Sequence, residues 1–411
     1  MKLRLTIHRS ASQIGGNCIE LEHTSGERLI LDAGRPLDAP SDATDLLPET
    51  LDLQRPAHVL ISHPHQDHYG LLNEIPREWP VHCGAAAQKL MNITAQITGG
   101  RIDQDVHHWV SGNAKTIGPF KVTALLTDHS AFDAYMLLIE AGGKRVLYSG
   151  DFRIHGRKSA LVERLMASPP KDIDVLLLEG TNLGSDKPTK SEADLEDDFV
   201  NLFNNTPGRV FVAWSAQNVD RTVTLYRAAK KTGRTLVVDL YTAEVMELLA
   251  EHGRLPRAGI DNFKVVITAN MSRMYRRKSR AEFVDQMATG GRGISAASLN
   301  DNRNKWVVMM RDSLRRDFAL KGVKPDADDR WSWSMWSGYL KNASDDMRAW
   351  LSEASYQHIH TSGHASPRHL RDFAEAISPR MLVPIHSFTW DDHTDAFPSV
   401  HRLQDGVTLT I

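Results

Sequence analysis

The sequence predicts an α/β protein in which one domain is interrupted by another, and three observations carry this. Short apolar runs repeatedly end in a loop that opens with His or Asp. His58-Val59-Leu60-Ile61 precedes Ser62-His63, a run over 119–126 precedes Thr127-Asp128-His129, and Lys144-Arg145-Val146-Leu147-Tyr148 precedes Ser149-Gly150-Asp151. Each reads as a buried strand delivering polar side chains to a sheet edge. From about residue 188 the texture changes to alternating strands and helices, βαβαβ, which predicts a lobe of mainly parallel sheet. After about residue 355 the first texture returns, so the middle lobe is an insertion. The expected divisions are 1–187, an inserted domain over 188–354, and a closing part over 355–411. A chain of 411 residues is long enough for two domains with a large core.

Bulk composition excludes several classes. Hydrophobic residues at 41% and charged residues at 24% are those of an ordinary soluble globular protein. A net charge of −2 gives no whole-molecule attraction to nucleic acid or membrane, so a polyanion must be met by a local patch. The two cysteines, Cys18 and Cys83, lack zinc spacing and read as reduced, packed residues. The N-terminus alternates like a strand, and no apolar run approaches the ~20 residues of a membrane helix. A cytoplasmic protein without membrane association is expected.

In chain order, the first residues form two or three strands, the last of which, Arg28-Leu29-Ile30-Leu31, ends in Asp32. A carboxylate there either orients a metal-bound histidine through its second nitrogen or serves as a turn residue before Gly34. Next comes Ser62-His63-Pro64-His65-Gln66-Asp67-His68-Tyr69-Gly70, with three histidines and an aspartate in six positions. In an extended segment His63 and His65 point the same way, and Asp67 and His68 can face a second point after a turn. Imidazole and carboxylate together suit zinc, iron or manganese. His129 and Asp151 follow at later strand ends, and one carboxylate can bridge two cations about 3.5–4 Å apart.

The strand Ile173-Asp174-Val175-Leu176-Leu177-Leu178 presents Glu179-Gly180-Thr181-Asn182. In the inserted lobe, helices are expected through Val219–Ala229 and from an N-cap at Thr242 to a stop at Gly253. Arg273, Arg276, Arg277, Lys278 and Arg280 make the strongest basic cluster, either a phosphate-binding patch or a solvated helix face. Trp331, Trp333 and Trp336 alternate and either stack bases or fill core. Past the lobe, Tyr356–Thr361 reads as a strand, followed by Ser362-Gly363-His364-Ala365-Ser366-Pro367. Ser366 and Pro367 suit N-cap and first position of a helix, and such a Gly loop offers N–H groups to an anion. The last strand, Met381-Leu382-Val383-Pro384-Ile385, ends in His386.

Assembled, these residues resemble the metallo-β-lactamase superfamily and, within it, the β-CASP nucleases of ribonuclease J type. The shared motifs are met by Asp32, His63-x-His65-x-Asp67-His68, His129 and Asp151; those particular to β-CASP proteins by Glu179, His364 and His386. The resemblance implies an αββα sandwich with an inserted β-CASP domain. It implies two divalent metal ions, zinc first and manganese as the alternative. His63, His65, His129 and Asp151 would hold one; Asp67, His68, Asp151 and His386 the other. It implies a hydroxide between the metals attacking phosphorus, with Asp67 also counted among the catalytic residues and His364, held by Glu179, as general acid. Ser362, Gly363, Ser366, Arg276, Arg277 and Lys278 are the expected substrate contacts.

His386 tilts the expected partner to RNA rather than DNA, since Artemis-like DNA-processing members have Val there. Val307-Val308-Met309-Met310-Arg311-Asp312-Ser313 departs from the family's Gly-Ser-Gln-Gly-Glu, which puts 5′-phosphate recognition in question. The family's C-terminal oligomerisation domain is expected to be absent, with a homodimer left open. The alternatives are a DNA nuclease, a hydrolase of small esters or thioesters, and a non-catalytic RNA-binding scaffold. The large insertion argues against a small substrate, and the full ligand complement argues against a scaffold.

Overall fold

The computed structural model describes residues 2–341 and 343–411. It divides into two compact units, one of residues 1–188 with 363–411 and one of residues 189–362.

The first unit is built on two sheets. One orders its strands Thr408–Thr410, Leu3–Arg9, Cys18–His23, Arg28–Leu31, His58–Leu60, Val81–Cys83, Val106–His108. The other runs Met381–Pro384, Val175–Leu178, Lys144–Tyr148, Tyr135–Ala141, Phe120–Leu126, Ala114–Ile117. Alternation places Leu3, Leu5, Ile7, Ile19 and Leu21 of the first sheet in one cluster with Val122, Leu137, Ile139, Val146 and Val175 of the second. The back of the second sheet is covered by the helices Ser159–Ala167 and Pro367–Ile377, through Val162, Leu370, Phe373 and Ile377. The back of the first packs Ile30, Val59 and Val81 on Trp79 and on Met91 of the helix Ala85–Thr98. The layers are therefore αββα. The last helix shows why its sequence starts it there: Ser366 Oγ accepts from the His369 N–H, and Pro367 occupies the first turn.

The second unit is a seven-stranded sheet, ordered Gly293–Ser295, Phe263–Ile267, Thr235–Val238, Trp306–Met309, Val210–Ala213, Arg330–Trp333, Ser355–His358. Every pairing in it is parallel. Two expectations are corrected here. The strand Ser355–His358 pairs with Arg330–Trp333, so the insertion closes at 362/363 rather than 354/355. The helix Leu240–Leu249 is capped by Asp239, whose carboxylate accepts from the Thr242 N–H at 2.7 Å, so Thr242 lies inside it. A carboxylate directly after a strand reaches the first free N–H groups sooner than a residue three positions on. Cys18 and Cys83 are buried free thiols, both pushed to a high pKa by burial. Among the described residues no helix is long and apolar enough to cross a membrane.

Candidate active site

Five strand ends of the first unit converge on one cluster. The strand His58–Leu60 stops before Ser62, and 62–65 bends rather than continuing extended. His65 then caps the short helix Gln66–Tyr69 that carries Asp67 and His68. That helix is moored by backbone: the N–H groups of Asn17, Ala33 and Arg35 donate to the carbonyls of Asp67, His68 and Gln66 at 3.0, 2.8 and 2.9 Å. Gly34 permits this, because a Cβ there would overlap the Asp67 carbonyl. His129 follows Phe120–Leu126, Asp151 follows Lys144–Tyr148, Glu179 follows Val175–Leu178, and His386 follows Met381–Pro384.

The ligand atoms fall into three groups, each spanning no more than 4.8 Å: His63, His65, His129; Asp67, His68, Asp151, His386; and Asp151, Glu179, His364, His386, the last two sharing Asp151 and His386. His129 Nε2 lies 3.2 Å from His65 Nδ1. Asp151 Oδ2 lies 3.1 Å from His68 Nε2 and 3.8 Å from His63 Nε2, so this carboxylate stands between the first two groups. His386 Nε2 is 3.4 Å from Asp67 Oδ2. His63, His68, His129, Asp151 and His386 are all at most 2% exposed.

The surroundings choose which ring nitrogen is available. His68 Nδ1 donates to Asp32 Oδ2 at 2.7 Å, and His129 Nδ1 donates to the Gly363 carbonyl at 2.6 Å. In both rings Nε2 is left facing the cluster. Gly363 can approach so closely because any side chain would meet Ser130 Oγ and, at 3.3 Å, the His129 ring. His386 Nδ1 is 3.0 Å from Thr181 Oγ1. Asp32, at φ +62, also accepts from the Ser62 N–H (2.7 Å), Ser62 Oγ (2.8 Å) and Tyr148 OH (2.5 Å).

Electrostatics agree with a cation site. Burial, reinforced by neighbouring histidines, pushes His63 and His129 well down; on His65 burial, aided by His68 and His364, outweighs Asp67 and Asp151 and brings it to about 4. These three rings are therefore neutral, with lone pairs available. Burial opposes charge on Asp67 and Asp151, yet adjacent histidines outweigh it and hold both carboxyls below their ordinary range. Among the described residues, His63 Nε2, His386 Nε2 and Asp151 Oδ1 are buried without a hydrogen-bond partner. Orphaned acceptor atoms are costly in a protein interior unless something electropositive completes them, and these sit on imidazoles and a carboxylate. The donor set fits two divalent cations.

Beside this cluster, His364 Nδ1 lies 3.2 and 3.3 Å from the two oxygens of Glu179. Burial opposes a charge on His364, but Glu179 and Asp151 outweigh it and raise the ring to about 9. Glu179 is itself fixed by the N–H groups of Phe152 (3.2 Å) and Thr181 (3.1 Å). Asn182 Nδ2 donates to the carbonyls of His364 and Ala365 at 3.0 and 3.1 Å.

The site thus brings together all seven expected ligands, with Asp32, Glu179 and His364. Gly363 and Ser366 lie in the loop that carries His364. Ser362, Arg276, Arg277 and Lys278 belong to the second unit, where Arg276 pairs with Asp285 and Arg277 and Lys278 are exposed. Sequence reasoning assigned no role to Tyr148, Thr181 or Asn182. Thr181 and Asn182 stand in the quoted Glu-Gly-Thr-Asn segment and could have been found there; nothing marks Tyr148, whose hydroxyl reaches Asp32 from a strand of the facing sheet.

Comparison with known proteins gives the same direction. The family model described as "Metallo-beta-lactamase superfamily" matches residues 12–179. "Ribonuclease J" of Sinorhizobium meliloti is 23% identical over 379 residues, covering 86% of this chain and 63% of that protein. "Ribonuclease J" of Helicobacter pylori strain B128 is 23% identical over 406 residues, covering 93% of this chain and 56% of that protein. The chain therefore spans between 56% and 63% of the length of these two relatives. A crystal structure of a protein of unknown function from Enterococcus faecalis V583 superposes with a TM-score of 0.79 at 19% identity, covering 100% of both chains.

Proposed function

We propose that this chain, a metallo-β-lactamase superfamily protein with ribonuclease J relatives over most of its length, is a metal-dependent ribonuclease that hydrolyses RNA phosphodiester bonds. Residues 189–362 are its inserted β-CASP domain. The observation that carries the reading is the Glu179–His364 pair, 3.2 Å apart, set against two candidate metal-ligand groups between which Asp151 stands.

His63, His65 and His129 would hold one divalent ion, and Asp67, His68 and His386 the other, with Asp151 serving both. Zinc suits the imidazole-rich group and manganese is the alternative. Bound there, two such ions would neutralise charge on the phosphoryl oxygens and lower the pKa of water. Asp32, the Gly363 carbonyl and Thr181 keep the ligand rings turned. His364, with Nδ1 on Glu179, delivers a proton from Nε2 to the leaving 3′-oxygen, and Glu179 holds the ring for that transfer. The backbone of the loop from Gly363 to Ser366, at the start of an 11-residue helix, offers N–H groups to a phosphate.

The test is cleavage of end-labelled single-stranded RNA and DNA bearing 5′-phosphate, 5′-triphosphate or 5′-hydroxyl, with His65→Ala and Asp151→Asn as controls. Metal-dependent RNA fragments, lost in both variants, are the expected result. Absence of cleavage of either polymer by the metal-loaded protein sinks the reading, as does undiminished cleavage by both variants.

A further inference from the structure

In the second unit one tryptophan is presented to solvent on a backbone that is pinned at every step. The strand Arg330–Trp333 ends, and Ser334, Met335 and Trp336 follow from its carboxyl end. Their three carbonyls are each taken by a side chain. Arg221 Nη1 donates to Ser334 O at 2.9 Å, His358 Nε2 to Met335 O at 3.1 Å, and Trp333 Nε1 to Trp336 O at 3.1 Å. Arg221 is buried and paired with Glu192, and Ser334 Oγ donates to the Ile359 carbonyl at 2.6 Å. The segment is therefore tied to a helix, to the end of the edge strand and to its own strand.

This rigid stretch ends in a large apolar ring that is 58% exposed. The Trp336 indole lies over Gly338, where even a methyl group would collide with it. Tyr339, 51% exposed, meets it edge-on with centroids 5.3 Å apart. The two other tryptophans of the motif behave differently. Trp331 is 9% and Trp333 5% exposed, with Trp331 covered by Tyr356 at 4.4 Å. They are packing residues, so of the two readings the sequence left open they take the core one.

A fixed, exposed indole with a neighbouring phenol gives the fold little burial, and offers a flat π-surface at no ordering cost. It stands at the carboxyl end of an all-parallel sheet, the end at which such sheets take ligands. Stacking on aromatic side chains is how single-stranded nucleic acid is gripped without regard to sequence. Resting on the ribonuclease reading above, we propose that Trp336, flanked by Tyr339, is a stacking platform for an unpaired base of the RNA substrate. Gly338 is the positioning residue that lets the ring lie flat.

The test measures binding of a labelled single-stranded oligoadenylate by fluorescence anisotropy, with the 411-residue chain silenced by His65→Ala. Trp336→Ala is expected to weaken binding by roughly ten-fold, within what one base–aromatic stack supplies. Trp336→Phe recovers most of the loss, and Gly338→Ala reproduces it by displacing the ring. An abasic oligomer of equal length is bound alike by all four proteins. Unchanged oligoadenylate binding by Trp336→Ala overturns the proposal, and so does an equal loss toward the abasic oligomer. So does a change confined to self-association in sedimentation velocity, which would make the ring a protein contact. If the silenced parent binds no RNA at all, this proposal and the ribonuclease reading fall together; if it binds but ignores residue 336, only this one falls.

Discussion

Replacing Asp32 by Asn should weaken metal binding through a single proton on His68. The Asp32 backbone sits at φ +62, which Asn tolerates, so the substitution changes the side chain's chemistry and little else. One carboxylate oxygen accepts the Ser62 N–H at 2.7 Å, a donor with no alternative. The amide oxygen of Asn must therefore stay there, which puts its NH2 where Oδ2 stood. That NH2 faces Ser62 Oγ, Tyr148 OH and His68 Nδ1, formerly at 2.8, 2.5 and 2.7 Å. The two hydroxyls can rotate and accept. The imidazole can accept only by moving its proton to Nε2, the atom that faces Asp151 at 3.1 Å and belongs to the second ligand group. Loss of such an orienting partner costs about 10–100-fold in metal affinity, roughly 1.4–2.7 kcal/mol. Chelator competition with metal counting by mass spectrometry reads the effect, and thermal unfolding checks the fold. Wild-type affinity in Asp32→Asn would show that Asp32 does not set the tautomer.

Two further outcomes follow from other groups of the first unit. Glu179→Gln removes the charge that holds a proton on His364, so kcat for RNA should fall by about 10²-fold or more while KM stays within a few-fold. Equal losses in binding and turnover would instead make Glu179 a substrate contact, readable from the full rate-against-concentration curve. Outside the cluster, His82 is 2% exposed, with Nδ1 unpartnered among the described residues and rings of Trp109 and His107 stacked on it. Burial, aided by Lys115, lowers it to about 3 from the ordinary 6.5. Its folded pKa is depressed, so between pH 6.5 and 3 the unfolded chain binds the extra proton and stability falls with pH. His82→Phe should flatten that part of the stability–pH curve in urea titrations; an unchanged slope would contradict it.

The candidate ligands were legible because each lies in a short segment directly after an apolar strand. His63 to His68, Asp151 and His386 could be placed at a common sheet edge from strand-end position alone. The groups that turn the rings were not, because they come from distant chain with no local signature. The Gly363 carbonyl is a backbone atom, available at any residue, and reaches His129 across 234 positions. Tyr148 reads as one more apolar residue of a strand. The late boundary was missed for a related reason: Ser355–His358 is an exposed edge strand whose partner is chosen by register with Arg330–Trp333, and short strands do not announce their sheet.

The two candidate ligand groups differ in charge, and that difference should separate the two ions proposed for them. His63, His65 and His129 are neutral rings, held so by burial. Asp67 and Asp151 are both kept ionised, so the group with His68 and His386 brings two negative charges to a dication. Its His68 is moreover the ring backed by a carboxylate, Asp32, which raises ligand basicity, whereas His129 is backed only by a carbonyl. With this group filled, the ion's own charge would oppose a second one, and Asp151 would already be engaged. Chelation should therefore remove metal in two steps, with apparent dissociation constants at least about ten-fold apart, or ~1.4 kcal/mol. Asp67→Asn should erase the tighter step and leave the weaker, while His129→Ala should do the reverse. Metal content followed during stepwise chelator addition decides it without reference to activity. Loss of both ions in one step, or equal weakening of both by Asp67→Asn, would mean that ligand charge does not rank the sites.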